Sequence, residues 1–384
     1  MIEKIGGRAG RYVRQPEGFR VFIPGPLPPD PPIRMDEEMQ VLLSATDRAI
    51  GRLDAITEFV PNPDLFVAMY VRKEAVLSSQ IEGTQASLTD LLEFESEAKR
   101  HKRVTDVQEV FNYVRAINFG LEQLAEMPLC LRLLRAIHAE LLKGVRGGYR
   151  TPGEFRKSQN WIGPSSGTIS EAAFVPPPAH EIPGAMGNLE RFLHDDTPMP
   201  PLVKCGLAHA QFETIHPFLD GNGRLGRLLI TFFLCWRGIL TRPLLYLSVY
   251  FKRHRQEYYD RLQAVRDAGD WEGWIRFFLE GVRSASLEAS ETARKILDLR
   301  EKHRTEVGRE TRGSGAGLIL LDRLFEFPMI TVRQVADIIQ RSYPVANDLT
   351  AAFVELGILS QAAERKRNRV FVYQPYLNLL EFGL

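Results

Sequence analysis

The segment His216-Pro-Phe-Leu-Asp-Gly-Asn-Gly-Arg-Leu-Gly-Arg227 is the part of the sequence that decides the fold. Apolar residues recur at helical spacing before it, from Leu202 to Ile215, and again after about Arg224. Pro217 cannot continue a helix, and the glycines at 221 and 223 permit positive φ. We therefore expect a helix, a tight loop that carries His216, and a second helix starting near Arg224.

The residue types in this loop indicate a phosphate-binding site. A helix that starts near Arg224 directs free N–H groups and the positive end of its dipole into the loop. Arg224 and Arg227 are three residues apart, so both can hold phosphate oxygens from one side of the first turn. Asp220 is suited to Mg²⁺, and His216 can accept a hydroxyl proton near neutral pH. Together they predict phosphoryl-type transfer to a hydroxyl; a simple capping histidine and a plain Gly-Asn-Gly turn are the structural alternatives.

The segment resembles the Fic family signature, His-Pro-Phe-x-(Asp/Glu)-Gly-Asn-Gly-Arg-x-x-Arg, at every fixed position. The resemblance extends over about residues 40–290 and implies a mainly α fold, a helical bundle with a β-hairpin flap. It implies that His216 is the catalytic base, that Asp220 binds Mg²⁺, and that Arg227 holds the γ-phosphate of ATP. The other nucleotide-binding positions, of which the first four form the anion hole, would be Gly221, Asn222, Gly223, Arg224, Leu225 and Gly226.

The activity that this resemblance implies is transfer of AMP from ATP to a Ser, Thr or Tyr hydroxyl of a target protein, itself included. Two alternatives stay open: a DNA-binding regulator that uses the domain as a nucleotide sensor, and an enzyme that transfers another phosphate-containing group or removes AMP. The intact His216 favours catalysis, since sensing needs the anion pocket but no base. Gly223, where kinase-like relatives have a lysine, favours AMP transfer, whereas Glu82 could orient a water for AMP removal.

The region between residues 147 and 201 is rich in glycine and proline. Two strand-like pieces, 160–162 and 169–175, flank Gly163-Pro-Ser-Ser-Gly167 and predict a hairpin. By resemblance this is the family's flap, near residues 160–178, which pins a target segment by main-chain pairing. Tyr258 and Arg253 would line the adenine pocket, although a core role for these aromatic positions is equally compatible. The flap residues that would border the nucleotide are Glu171, Ala172, Ala173 and Phe174.

A second short pattern, Ser78-Ser-Gln-Ile-Glu82-Gly83, ends a helix that Asn62-Pro-Asp64 predicts to begin. Ser78 and Glu82 are four residues apart and share a helix face. A carboxylate in the last turn opposes the helix dipole, and such local conflicts often mark function. The pattern is similar to the (Ser/Thr)-x-x-x-Glu-(Gly/Asn) inhibitory motif of Fic proteins. By that resemblance Glu82 pairs with Arg227 and occupies the place of the γ-phosphate, either within one chain or across a homodimer.

The C-terminal part of the chain predicts a winged helix-turn-helix domain. Thr331–Ile339 and Val345–Leu356 predict two helices, and the strands 359–363 and 370–373 bracket the basic tip Arg365-Lys-Arg367 and Arg369. Such a module can bind DNA. The second helix contains no Lys or Arg, however, so packing against the catalytic domain or another protein is an equal alternative.

The pattern of helices, prolines and glycines predicts five regions. A charged helix near residues 282–307 should end at a hinge, Gly308 to Gly317. In chain order the expected regions are a Pro-rich extended arm (1–35), an N-terminal helical region with the inhibitory helix (36–110), the catalytic domain (111–290), a helical linker and hinge (291–315), and the winged helix (316–384).

Composition excludes several classes of protein. The 384 residues contain 49 Lys and Arg against 48 Asp and Glu, so no global charge favours nucleic acid or an anionic membrane. Cys130, Cys205 and Cys235 lack metal-ligand spacing and predict buried thiols. The chain starts without a basic and apolar leader, and its longest apolar run, 228–236, is far too short to cross a bilayer. We therefore expect a cytoplasmic protein with no membrane contact.

Overall fold

The protein is described by a computed structural model that covers residues 6–59, 63–96, 105–145, 147–163, 167–310, 315–362 and 369–381. The expectation of a mainly α fold is confirmed, since helices account for most of these residues. Within the described ranges, no helix combines the length and the apolar composition needed to cross a membrane.

The N-terminal segment, expected to be an extended arm lying on the body, begins with a small antiparallel sheet. Phe22 is fully buried, and its N–H donates to the carbonyl of Val175 at 2.9 Å, which joins the sheet to the body. Arg8 donates to the carbonyls of Pro31 and Pro32 and so holds the proline-rich segment that follows. The strands, paired in the order β1-β2-β3, are β1 Gly6–Gly7, β2 Gly10–Arg14 and β3 Arg20–Pro24.

Among the described residues five helices follow, in the part of the chain where the sequence predicts a helical region. The second begins at Pro63, as expected, although the predicted cap Asn62 lies outside the described residues. It ends at Ile81, so Glu82 and Gly83 form the turn after the helix, and Gly83 adopts a φ of 98°. The helices are α1 Glu37–Phe59, α2 Pro63–Ile81, α3 Leu88–Ser96, α4 Thr105–Leu124 and α5 Leu131–Leu141.

The next six helices build the centre of the molecule. The first of the two around the signature loop, α7, is buried along almost its whole length, and the second begins at Asn222, two residues before the expected start. The charged helix expected from residue 282 is the end of a 40-residue helix that starts at Trp271 and packs along α1. These helices are α6 Ile182–His194, α7 Pro201–Ile215, α8 Asn222–Trp236, α9 Ser248–Arg253, α10 Arg255–Ala268 and α11 Trp271–Glu310.

The segment expected to be a two-stranded hairpin is a single antiparallel bridge. Ile162 and Phe174 exchange both main-chain hydrogen bonds, at 2.8 and 3.1 Å. Ile169–Glu171 forms one turn of 3₁₀ helix instead of a strand, because Thr168 and Glu171 make a capping box there. The tip residues 164–166 lie outside the described residues, so the described part of the segment is an irregular loop with one point of β pairing.

The described residues after α11 form four helices and a three-stranded sheet in the order β4-β6-β5. The predicted hinge is wrong at both ends, since residues 308–310 belong to α11 and residues 315–317 to the next helix. Residues 311–314 and the basic tip at 365–367 lie outside the described residues. The elements are α12 Gly315–Leu324, β4 Met329–Thr331, α13 Val332–Ile339, α14 Tyr343–Glu355, β5 Ser360–Gln361, β6 Val370–Val372 and α15 Gln374–Glu381.

Candidate active site

His216 terminates α7 in a left-handed conformation, with φ of 50° and ψ of 60°. That region is uncommon for residues other than glycine, so the surrounding contacts must hold it there. The N–H of His216 donates to the carbonyl of Phe212 at 2.9 Å, and its own carbonyl accepts from Nε of Arg156 at 3.0 Å. The ring is 17% exposed. The loop therefore turns the imidazole out of the path of α7, to a place where the charge of Glu82 reaches it.

The environment of His216 keeps its ring neutral. Burial, together with the charges of Arg266 and Arg156, lowers the pKa of His216 to about 4 against an opposing effect of Glu82. A neutral imidazole can accept a proton at physiological pH, which a protonated ring cannot do. His216 thus meets the electrostatic requirement for a general base.

The signature loop is locked by the side chain of Asn222. Its Oδ1 accepts from the N–H of Phe218 at 2.9 Å, and its Nδ2 donates to the carbonyl of Phe218 at 2.8 Å. Gly221 takes a φ of 74° at the N-cap of α8, a conformation that glycine adopts without steric cost. The side chain of Asn222 is therefore used to shape the loop, and the free N–H groups of the first turn of α8 face its interior.

His138 on α5 supports the same loop, and sequence reasoning missed it. Its Nδ1 accepts from the N–H of Gly153 at 2.8 Å, so the proton is on Nε2, which donates to the carbonyl of Asp220 at 3.0 Å. The ring stacks on Phe218 with centroids 3.8 Å apart. Burial lowers the pKa of His138 to about 4, which keeps this tautomer neutral. Only its place on an apolar helix face was visible in the sequence.

Asp220, the expected Mg²⁺ ligand, lies at the lip of the loop. Its Oδ1 accepts from the N–H of Gly221 at 2.7 Å and lies 3.8 Å from Nη2 of Arg224. Gly147 makes room for the carboxylate, because a Cβ there would lie 2.8 Å from Oδ2. Among the described residues no three His, Cys, Asp or Glu side chains cluster as a metal cage. One partly exposed carboxylate fits Mg²⁺, which keeps several waters and bridges phosphates.

The two arginines of α8 lie beneath the loop and have different partners. Arg224 is buried, and its Nη1 lies 3.1 Å from Oε2 of Glu109. Arg227 is 2% exposed; its Nε donates to Oγ of Ser78 at 2.8 Å, and its Nη2 donates to the Ser78 carbonyl and to Oε1 of Glu82, at 2.9 and 2.7 Å. The structure therefore places both Ser78 and Glu82, the residues of the expected inhibitory motif, in contact with Arg227.

The Glu82–Arg227 pair is electrostatically strong although half-open to water. Burial disfavours the charge on each group, but the mutual attraction prevails, so the pKa of Glu82 is lowered and that of Arg227 is raised. Glu82 is 39% exposed, which weakens the pair by solvent screening. Its carboxylate also lies against the first turn of α8, because a Cβ on Gly223 would come within 2.2 Å of Oε1. Glu82 thus fills the space beside Gly223 and Arg227 at the first turn of α8, where the sequence predicts a phosphate site; this space is called the anion space below.

Leu225 and Gly226 do not face the loop. Leu225 is fully buried in the core. The carbonyl of Gly226 is hydrogen-bonded to Nδ1 of His209 at 2.8 Å, and its Cα faces the carboxylate of Glu213. Both positions therefore support α8 from behind, whereas Gly223, Arg224 and Arg227 lie toward the anion space.

Tyr258 and Arg253, the residues expected to line an adenine pocket, both have other partners in the structure. Tyr258 is 1% exposed; its ring stacks on Phe251 and its hydroxyl is 2.9 Å from Nε2 of His209, so it belongs to the core. Arg253 is paired with Glu288 of α11 at 2.7 Å. The aromatic neighbour at the surface is Tyr259, which is 37% exposed and close enough to Glu82 to be influenced by its charge.

The expected flap residues divide between core and surface. Phe174 is buried, and the guanidinium of Arg266 lies 3.7 Å from its ring centroid. Glu171 is exposed and caps the 3₁₀ turn. Ala172 and Ala173 line an open groove of about 430 Å³ between this segment and the N-terminal sheet. The bridge at Phe174 therefore anchors a loop whose outer residues are accessible.

Two family models match the chain. Residues 41–122 match the Fic/DOC family N-terminal model, and residues 128–234 match the Fic/DOC family model. Over 203 residues the chain is 28% identical to a probable protein adenylyltransferase of Aquifex aeolicus (strain VF5), covering 53% of this chain and 56% of that protein. Over 172 residues it is 32% identical to the protein adenylyltransferase Fic of Drosophila yakuba, covering 44% of this chain and 30% of that protein. The matches thus span only about a third to a half of these relatives.

Solved structures share the architecture. A Fic family protein from Desulfovibrio desulfuricans G20 superposes with a TM-score of 0.59 at 22% identity, over 89% of this chain and 97% of that one. A Fic domain containing signaling protein from Bacteroides thetaiotaomicron gives a TM-score of 0.50 at 17% identity, over 65% of this chain and 95% of that one. These likenesses show the fold.

Proposed function

The chain belongs to the Fic/DOC family, and we propose that it is an autoinhibited protein adenylyltransferase. It transfers AMP from ATP to a Ser, Thr or Tyr hydroxyl of a target protein, including itself. The observation that carries the proposal is the juxtaposition of a neutral His216 with an anion space at the N-terminus of α8. The names of the curated relatives, protein adenylyltransferases, support the same activity.

The transfer step follows from this arrangement. Nε2 of His216 takes the proton of the target hydroxyl, whose oxygen forms a bond to the α-phosphorus while the bond from that phosphorus to pyrophosphate breaks. The N–H groups of the first turn of α8 and the guanidinium of Arg224 receive the α- and β-phosphates. Asp220 would hold Mg²⁺, and the chemistry that this ion would supply is neutralisation of phosphate charge. Positioning and charge stabilisation supply most of the acceleration in such a reaction.

Inhibition arises because Glu82 competes with the γ-phosphate for Arg227. Its carboxylate is bound to Nη2 of Arg227 and lies beside Gly223, where a phosphate oxygen would otherwise approach the helix. ATP then binds without its γ-phosphate in place, and its α-phosphorus is not aligned with the hydroxyl. Glu82 reaches an arginine of its own chain, which supports inhibition within one chain rather than across a homodimer.

Position-specific labelling tests this function. The Glu82→Gly chain is incubated with Mg²⁺ and ATP labelled at either the α- or the γ-phosphate. Protein-bound label from the α position alone, lost in Glu82→Gly/His216→Ala, is the expected result. Label from the γ position alone would show phosphate transfer instead, and undiminished labelling of the double variant would exclude His216 as the base.

We further propose that residues 315–381 act as a winged-helix module that contacts protein rather than DNA. Support comes from the helix pair α13 and α14 beside the sheet β4-β6-β5 and from the absence of Lys and Arg on α14. The module is tied to α11, since Arg300 pairs with Asp322 at 2.8 Å and His303 lies 2.8 Å from the hydroxyl of Tyr373. In a gel-shift titration we expect no sequence-specific binding; tight binding that weakens steeply with salt would indicate a DNA-binding module.

A further inference from the structure

Glu213 is a buried carboxylate that the proposed reaction does not yet use. It lies in the last turn of α7, three residues before His216, and its side chain is only 8% exposed. Its Oε2 is 4.0 Å from Nδ1 of His216, just beyond hydrogen-bond distance. Within the described part of the chain, neither Oε1 of Glu213 nor Nδ1 of His216 has a partner at hydrogen-bond distance, although the main-chain carbonyl of Glu213 also acts on the ring and raises its pKa. Two buried polar groups therefore face each other without satisfying each other.

Such an arrangement lowers the stability of the fold, which suggests that it is kept for a function. Leaving a buried polar group unsatisfied costs about 1–3 kcal/mol, and more for a charged group. Gly226 accommodates the carboxylate, since a Cβ at that position would come within 2.2 Å of Oε1. Arg266, the nearest cation on α10, donates to the main-chain carbonyl of Glu213 at 3.4 Å and to Oγ1 of Thr214 at 3.3 Å. The carboxylate is thus enclosed beside His216 without a structural ion pair.

Charged groups on neighbouring elements shift the pKa of Glu213 in addition to its burial. Burial raises the pKa of Glu213 to about 7, with Arg227 of α8 acting to lower it and Glu82 acting to raise it. Arg266 of α10 also attracts the carboxylate and lowers the pKa of the neighbouring His216. An anion that replaces Glu82 at Arg227 acts on Glu213 in the same direction as Glu82, so Arg227 and Arg266 are the groups that favour its ionised form.

We propose that Glu213 is a positioning residue for His216: its Oε2 accepts the Nδ1–H of the imidazole and so keeps the lone pair of the base on Nε2. Catalytic hydrogen bonds are often long in an unliganded site, and we expect the 4.0 Å distance to shorten when substrate binds. When Nε2 takes the hydroxyl proton, the imidazolium retains both protons, and the adjacent carboxylate offsets its charge. A base oriented by a third group is the general pattern of activated hydroxyl nucleophiles. The inference rests on the proposed function, in which His216 is the base.

The tautomer of His216 can be measured without any catalysis. In ¹⁵N-histidine NMR of the full chain at about pH 8, with His216→Ala to assign the signal, we expect the Nδ1–H tautomer. Glu213→Gln should redistribute the tautomers, because an amide can donate as well as accept. An Nε2–H tautomer in the unmodified chain would overturn the proposal. So would an unchanged spectrum in Glu213→Gln, since the main-chain carbonyl of Glu213 would then be what holds the ring.

Kinetics in the Glu82→Gly background supply the second readout. We expect Glu213→Gln to lower kcat by about 10- to 100-fold with little change in KM for ATP, and to shift the acid limb of the pH–rate profile. Glu213→Asp should restore part of the rate, and Glu126→Gln, an exposed carboxylate after α4, serves as control. Thermal melting of each variant verifies folding. A kcat within about twofold of the parent with an unshifted acid limb would overturn the proposal.

The two readouts separate failure of this inference from failure of the proposed function. If Glu82→Gly transfers no AMP at all, the proposed function fails, and the tautomer measurement still decides whether Glu213 orients His216. If Glu82→Gly is active and His216→Ala abolishes that activity, an inert Glu213→Gln overturns the positioning role alone.

Discussion

Replacement of Glu82 by glycine is expected to raise the rate of self-modification by about 10- to 100-fold. In the structure Oε1 of Glu82 is 2.7 Å from Nη2 of Arg227. A hydrogen bond involving charged groups contributes about 1.5–3 kcal/mol, and the 39% exposure of Glu82 places this pair toward the lower end because water screens it. Since about 1.4 kcal/mol corresponds to a factor of ten, the pair alone accounts for about tenfold.

The steric contact of Glu82 with α8 adds to this effect. The carboxylate fills the space beside Gly223, so its removal also opens the route by which phosphate oxygens reach the helix N-terminus. Glu82→Gln separates the two contributions, because it keeps the volume and removes the charge. We expect Glu82→Gln to be activated less than Glu82→Gly.

The assay is the initial rate of protein labelling from α-labelled ATP at equal protein concentration, with thermal melting to verify folding. Glu126→Gly, which removes an exposed carboxylate from the turn after α4, is the matched control and should behave as the unmodified chain. A folded Glu82→Gly chain that binds ATP but labels no faster than the control would refute the reasoning. That result would mean that Arg227 is available to ATP despite its contact with Glu82.

Three further measurements address the supports of the site. His138→Phe keeps the stacking on Phe218 but removes the hydrogen bonds to Gly153 and Asp220, so urea unfolding should show a loss of about 1–3 kcal/mol that exposed His180→Phe does not show. Gly223→Ala in the Glu82→Gly background places a methyl group in the anion space and should raise the Kd for ATP by about tenfold in calorimetry, whereas Gly308→Ala, at an open position of α11, should not. Burial raises the pKa of Glu213 from 4.5 to about 7, so its protonation stabilises the fold below about pH 4.5 and this stabilisation is lost as the pH rises through 7. The free energy of unfolding of Glu213→Gln, measured in urea relative to that of the unmodified chain, should therefore rise by about 2–3 kcal/mol from pH 5 to pH 8. If the two chains differ in free energy of unfolding by the same amount at both pH values, the raised pKa is contradicted.

The centre of the fold was predictable because its signals are local. Pro217, the glycines of the loop and the apolar periodicity on both sides specify helix, loop and helix within one short segment. The four-residue spacing of Ser78 and Glu82 likewise places both on one side of the end of α2, and in the structure both contact Arg227. Each segment could be interpreted from its own residues, and only the pairing of Glu82 with Arg227 required the resemblance to the family.

The missed features depend on contacts between distant parts of the chain. His138 is 82 residues from Asp220, whose carbonyl it holds, and nothing near His138 in the sequence marks that partner. The prolines of the N-terminal segment predicted an extended arm, and the sheet was missed. Its strands are fixed by pairing with each other and by the hydrogen bond from Phe22 to Val175, and no local pattern in the sequence marks these contacts. Tyr258 was expected at the nucleotide and lies in the core, since helical spacing alone does not distinguish it from its exposed neighbour Tyr259.

The most direct test of the central claim is the intact mass of the Glu82→Gly chain after incubation with ATP and Mg²⁺. We predict an increment of one or more AMP groups, absent when His216 is also replaced by alanine and much smaller in the unmodified chain. Peptide mapping then assigns the increment to a hydroxyl side chain. An increment of phosphate alone, or an unchanged mass for a folded protein that binds ATP, would contradict the claim that this chain is an adenylyltransferase restrained by Glu82.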